Sequence, residues 1–144
     1  MPQNLAGKRV VSQLSRARDY THSFLSEALS ARGLGELAPS HGEVLLALHL
    51  NEAMSMQQVA HSVGRTKPTV TVLIDKLVAF EYVRKRRSPD DGRIFQVSLT
   101  AKGKRLIKQL SEISDRMHSK IDSILSATEK QKLTQLLTKL IQNW

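Results

Sequence analysis

Residues 55–78 leave this chain few choices of fold. Ser55 and Gln58 stand three apart at the head of an apolar face made by Met56, Val59, Ala60 and Val63, the pattern of a capping box opening a short helix. Gly64 ends it, at a position where a left-handed turn costs glycine little. A second helix starts at once. Thr66 is its N-cap, and Pro68 falls in the first turn, where no amide donor is needed. Val70, Leu73, Ile74, Leu77 and Val78 then follow helical spacing and form one predicted buried stripe. Thr69, Thr71, Val72, Asp75 and Lys76 occupy the opposite face. Two short helices joined by a tight glycine-containing turn make a helix-turn-helix.

The segment that follows reads as a hairpin. Tyr82 to Arg87 is a strand candidate, Ser88-Pro89-Asp90-Asp91-Gly92 is strong turn chemistry, and Arg93 to Leu99 alternates in polarity. A hairpin after a helix-turn-helix is a wing. Helices are predicted on both sides of this unit. Residues 8–31 carry Val10, Val11, Leu14, Ala17, Tyr20, Phe24, Leu25, Ala28 and Leu29 at helical spacing, which places Tyr20 on the apolar stripe. A helix after Pro39 takes Ser40 as N-cap with Glu43 as its capping-box partner. Thr100 caps a long helix running to about Leu125, and Thr128 with Gln131 caps the last one. The fold class is therefore mainly α with a small β-hairpin wing, a winged helix-turn-helix.

The 144 residues suit one domain. With no cysteine, disulfides, thiolate catalysis and zinc-thiolate sites are excluded. The longest apolar run, Val44 to Leu48, is far too short to span a membrane, and Met1 to Lys8 lacks a signal-peptide core, so a cytoplasmic location is expected. Charge is more telling. Residues 65–108 hold twelve basic and four acidic side chains, a net +8 of the whole chain's +9. A polyanion is drawn to such a stretch, although a charge cluster alone also fits a solvated face.

Three pieces of sequence resemble the DNA-binding region of the multiple-antibiotic-resistance regulator (MarR) family. They are Val59-Ala60-His61-Ser62-Val63-Gly64, the run Thr69 to Leu77, and Asp91-Gly92-Arg93 followed by Val97-Ser98-Leu99-Thr100 and Lys102-Gly103. The resemblance implies a single domain over 1–144, with a winged helix-turn-helix lobe at about 40–100 and dimerisation helices at about 8–34 and 101–144. It also implies a homodimer whose N- and C-terminal helices interlock and whose recognition helices enter successive major grooves of a pseudo-palindromic double-stranded DNA operator. Position 72 is Val where many members carry a polar or basic residue, and Pro68 stiffens the start of the helix; both bear on which bases are read.

The candidate DNA-contacting residues are Arg65, Thr66, Lys67, Pro68, Thr69, Thr71, Lys76, Arg87 and Arg93. Thr66 and Lys67 flank free helix-start amides that suit a phosphate, while Thr69 and Thr71 are short enough to approach bases. Capping is the main role expected for Thr66. Arg93 lies at the family's wing position and by resemblance enters the minor groove, with Asp91 orienting it; the alternative is a plain turn with a surface ion pair. Arg84, Lys85, Arg86 and Arg87 lie in a row on a strand, so at most half can serve one DNA surface.

The apolar stripes of 8–31 and 106–144 exceed what two short helices and a hairpin cover, which favours an interface over a purely internal core. A small-molecule effector is a further partner that the resemblance implies, in a cleft between dimer helices and DNA-binding lobe. Arg18, Tyr20, His22, His41 and His49 are its candidate contacts. The histidine spacings make no local metal motif, and no metal or cofactor is expected. Three other readings stay open. A winged helix used for protein contact would not need the concentrated charge. A sequence-neutral architectural DNA binder would. An enzyme would need a phosphate loop, a nucleophile elbow or clustered carboxylates, and no such motif is present.

Overall fold

The computed structural model describes residues 2–144, with side chains described from residue 7 onward. Its elements run α1 (Pro2–Ala31), α2 (Pro39–Leu50), β1 (Met54–Ser55), α3 (Met56–Val63), α4 (Lys67–Ala79), β2 (Val83–Arg87), β3 (Phe95–Leu99), α5 (Ala101–Asp122) and α6 (Ala127–Gln142). The fold is a winged helix-turn-helix flanked by long helices.

The helix-turn-helix forms as its caps dictate. Ser55 Oγ accepts from the Gln58 amide at 3.1 Å, and Gln58 Oε1 accepts from the Ser55 amide at 2.8 Å. Gly64 adopts the left-handed conformation at φ 65°, and the Arg65 amide returns to the Ala60 carbonyl at 3.0 Å. Val44, Leu45 and Leu48 of α2 meet Val59 of α3, Val70, Ile74 and Leu77 of α4 and Val97 of β3 in a core closed to solvent. Each such side chain contributes about 1.5–3 kcal/mol. Leu106, Ile107, Leu110 and Ile113 of α5 and Ala28 and Leu29 of α1 extend this core.

The sheet is antiparallel in the order β1-β3-β2, with Val83 opposite Leu99, Lys85 opposite Val97 and Arg87 opposite Phe95. Strand β1 is an addition to the predicted hairpin: its two residues pair Met54 with Val97 and Ser55 with Gln96. The root of the wing is fastened to α5. The Thr100 amide donates to the Tyr82 carbonyl at 3.1 Å, Thr100 Oγ1 to the Glu81 carbonyl at 2.6 Å, and Lys102 Nζ to the Phe80 carbonyl at 2.9 Å. Gly103 sits so close that a Cβ there would lie 2.1 Å from the Tyr82 oxygen.

Several expectations are corrected. The N-cap of α2 is Ala38, not Ser40, because Pro39 takes the first helical position; His41, not Glu43, reaches back to the cap, its Nδ1 accepting from the Ala38 amide at 2.9 Å. The last helix is capped by Ser126 with Glu129 rather than by Thr128 with Gln131. Val78 is exposed, so the α4 stripe narrows to Val70, Ile74 and Leu77 with Leu73 beside it. Tyr20 is 68% exposed rather than part of the core. The long helix α5 ends at Asp122, with a short turn to follow.

Candidate nucleic-acid interface

Helix α4 and the wing come together around one groove. Lys67 and Thr71 of α4, Lys85 of β2, Arg93 and Ile94 of the turn, Phe95 of β3, and Ser55 to Gln57 line a cleft of about 260 Å³. Cations therefore come from two separate elements to one concave surface.

On α4, Thr66 caps the helix: its Oγ1 accepts from the Thr69 amide at 3.4 Å and donates to Thr69 Oγ1 at 2.9 Å. The Thr69 hydroxyl thereby keeps its own proton free to donate outward. Thr71 Oγ1 donates to the Lys67 carbonyl at 3.0 Å, which fixes its rotamer and leaves the oxygen able to accept a second bond. Pro68 and Val72 are exposed on the same helix.

The wing is braced from within. Arg87 Nη1 donates to the Gly92 carbonyl at 2.5 Å, and its guanidinium lies 5.1 Å from the centre of the Phe95 ring. Lys85 Nζ lies 4.8 Å from the same ring. Asp91 Oδ1 accepts from the Arg93 amide at 3.0 Å and from Arg93 Nε at 3.2 Å. These bonds, the backbone one foremost, hold the Asp91 carboxyl below the usual carboxylate range. The Arg93 side chain nevertheless stays 91% exposed, held by its base with its tip in solvent.

Other candidates fall elsewhere. Lys76 lies beside Phe80, 5.6 Å from the ring centre, away from the groove. Arg65 lies 3.8 Å from Glu43 on α2. Lys85 belongs to the groove and was missing from the predicted set; its alternation with Arg84 and Arg86 is the signal that assigns it to the face of Arg87 and Phe95.

The cleft between the long helices and the lobe is a separate, mainly apolar cavity of about 130 Å³. Leu25 and Leu29 of α1, Leu46 of α2, and Leu110, Ile113 and Met117 of α5 line it, with Glu43, Ser114 and His118 as its polar members. The predicted effector contacts are not brought together here. Arg18, Tyr20 and His22 are exposed on α1, and His49 belongs to a different concavity. His41 is buried and committed to the α2 cap, and burial, then the charge of Lys76, lowers its pKa below 6.5. Glu43 and His118 were not among the residues predicted for the cleft.

The terminal helices present apolar faces that nothing among the described residues covers. Val10, Val11 and Leu14 of α1 and Leu133, Leu136, Leu140 and Ile141 of α6 are exposed, as is Trp144. No residue of α6 is buried.

Comparison with known proteins agrees with this arrangement. The sequence model of the MarR family matches residues 37–95, from just before α2 to the first residue of β3. The HTH-type transcriptional regulator SarZ of Staphylococcus haemolyticus is 30% identical over 100 residues, covering 69% of this chain and 67% of that protein. The chain spans 54% to 67% of the length of three curated SarZ relatives that it matches. Among solved structures, a mutant MarR from E. coli complexed with operator DNA superposes with a TM-score of 0.80 at 20% identity, covering 92% of this chain and 93% of that one. BpsR of Bordetella bronchiseptica, whose DNA binding is regulated by 6-hydroxynicotinic acid, superposes with a TM-score of 0.81 at 23% identity over 91% of both chains. With the family model matched from α2 into the wing, a regulator 30% identical over two thirds of each chain, and the fold shared along its length with a solved MarR, the chain belongs to the MarR family.

Proposed function

We propose that this protein is a sequence-specific double-stranded DNA-binding transcriptional regulator, a repressor that acts as a homodimer and is released by a small molecule. The observation that carries the reading is the groove shared by α4 and the wing, where Lys67, Lys85 and Arg93 surround Thr71. Cations there supply phosphate affinity, and a threonine face supplies base contacts. Arg93, oriented by Asp91, reads the narrow minor groove beside the recognition helix.

The unpartnered faces of α1 and α6 supply the two-fold interface that half-sites about 10 base pairs apart require. The α1–α2–α5 cleft is the effector site, since its walls join the dimer helices to the lobe. The operator-bound MarR and the ligand-regulated BpsR lend both parts of the proposal support.

The test is selection of bound duplexes from a random pool, followed by anisotropy titration of the winning sequence. Arg93→Ala is expected to weaken binding by roughly tenfold while the protein stays folded and dimeric. Affinity should fall steeply with salt. Equal affinity for selected and random duplexes, or an unaffected Arg93→Ala variant with a flat salt response, would overturn the proposal.

A further inference from the structure

Strand β2 divides its four cations between two faces. Lys85 and Arg87 lie on the face of Phe95, whereas Arg84 and Arg86 stand opposite Ser98 and Gln96 on the other side of the sheet. There they border a second concavity of about 700 Å³, closed on one side by Leu48, His49 and Glu52 at the end of α2 and on another by Ala101 and Lys104 of α5. Arg84 and Arg86 are same-face neighbours, about 7 Å apart along the strand.

Among the described residues, no carboxylate lies within ion-pair distance of Arg84, Arg86 or Lys104, and none of their side chains donates a hydrogen bond within the chain. Three cations thus border one concave surface with no direct ion-pair partner and a single carboxylate, Glu52, on the far wall, and the first turn of α5 adds the positive end of a helix dipole. Such a surface gains most from a compact group with two negative charges, because guanidinium forks match phosphate oxygens. Glu52 on the α2 side repels a second anionic group, so the occupant is charged at one end only.

From this arrangement we infer that the outer face of the wing sheet is a binding site for a phosphate monoester, held by Arg84, Arg86 and Lys104. The site is independent of the DNA groove. A duplex seated on Lys67, Thr71 and Arg93 engages the opposite face of the same strand.

Isothermal titration of the full chain with phenyl phosphate and inorganic phosphate, at fixed ionic strength and without DNA, tests the inference. Saturable binding of one phenyl phosphate per chain is expected. The double variant Arg84→Gln/Arg86→Gln should weaken it about tenfold or more, as should Lys104→Gln from a different element, while Lys85→Gln leaves it unchanged. Circular dichroism of each variant checks that the fold is retained. Non-saturable heats, or equal loss with Lys85→Gln, would overturn the site. Operator affinity gives an independent arm. Arg84→Gln/Arg86→Gln should keep it within about twofold, and a fall as large as that of Arg93→Ala would make this face part of the duplex surface instead.

Discussion

The lobe built from α2 to β3 and the helices at the two ends of the chain are made from similar proportions of apolar side chains, yet they spend them differently. In the lobe, Leu45, Leu48, Ile74 and Leu77 are closed to solvent. In α6, Leu133, Leu136, Leu140 and Ile141 recur with the same helical regularity and remain exposed. The lobe covers most of its own hydrophobic pattern. The ends state a pattern whose complement is another surface. An amphipathic stripe therefore reports that burial is intended, and only the surrounding topology tells whether the chain itself provides it.

The contrast can be broken from either side. The largest effect is expected from Leu136→Lys/Leu140→Lys in α6. Charging an apolar interface should convert a dimer to monomer and lower operator affinity at least 100-fold, with the lobe's thermal transition retained. Light scattering and calorimetry check the two halves of that statement; unfolding of the lobe would show that α6 supports it directly. Next comes Gly103→Ala. Its Cβ would meet a backbone oxygen at 2.1 Å, so the wing root or α5 must move, at a cost of about 3 kcal/mol in urea denaturation. This loss falls on the lobe and should leave the α6 surface competent to associate.

The smallest effect concerns pH. His41 is buried as a neutral acceptor, and its pKa is lowered from 6.5 by burial and then by Lys76. The unfolded chain therefore binds a proton that the folded chain resists. Stability is fully present above pH 6.5 and declines as pH falls below that value toward the folded pKa. His41→Gln should flatten this slope in denaturation curves taken between pH 5 and 7.5.

What could be read from the residues alone follows from the range of the forces involved. Ser55 with Gln58, Gly64, Thr66 and Thr100 act over three or four residues, and each takes its expected cap or turn. Where two local solutions compete, pattern is insufficient. Ser126 with Glu129 and Thr128 with Gln131 match the same motif, and the earlier pair wins because it lengthens the helix. Pro39 preempts Ser40 by occupying the first helical position with its fixed φ and absent amide. Strand β1 has two residues and no alternation to display; it exists only because β3 offers an edge. At the candidate site, strand alternation already forbade all four β2 cations from sharing a face, but only the tertiary arrangement revealed Lys85 as the one beside Lys67 and Arg93. Tyr20 shows the limit most directly, since its stripe is regular and no other element of the chain lies over it.

The fastening of α5 to the end of α4 has a mechanical consequence. Thr100, Lys102 and Gly103 grip three successive carbonyl-bearing residues, Phe80, Glu81 and Tyr82, at the point where the recognition helix passes into the first wing strand. A tilt of α5 is thereby delivered to helix and hairpin as a single stroke. Helix α4 and the hairpin are tied to α5 at one shared point, so a displacement of α5 would act on both together.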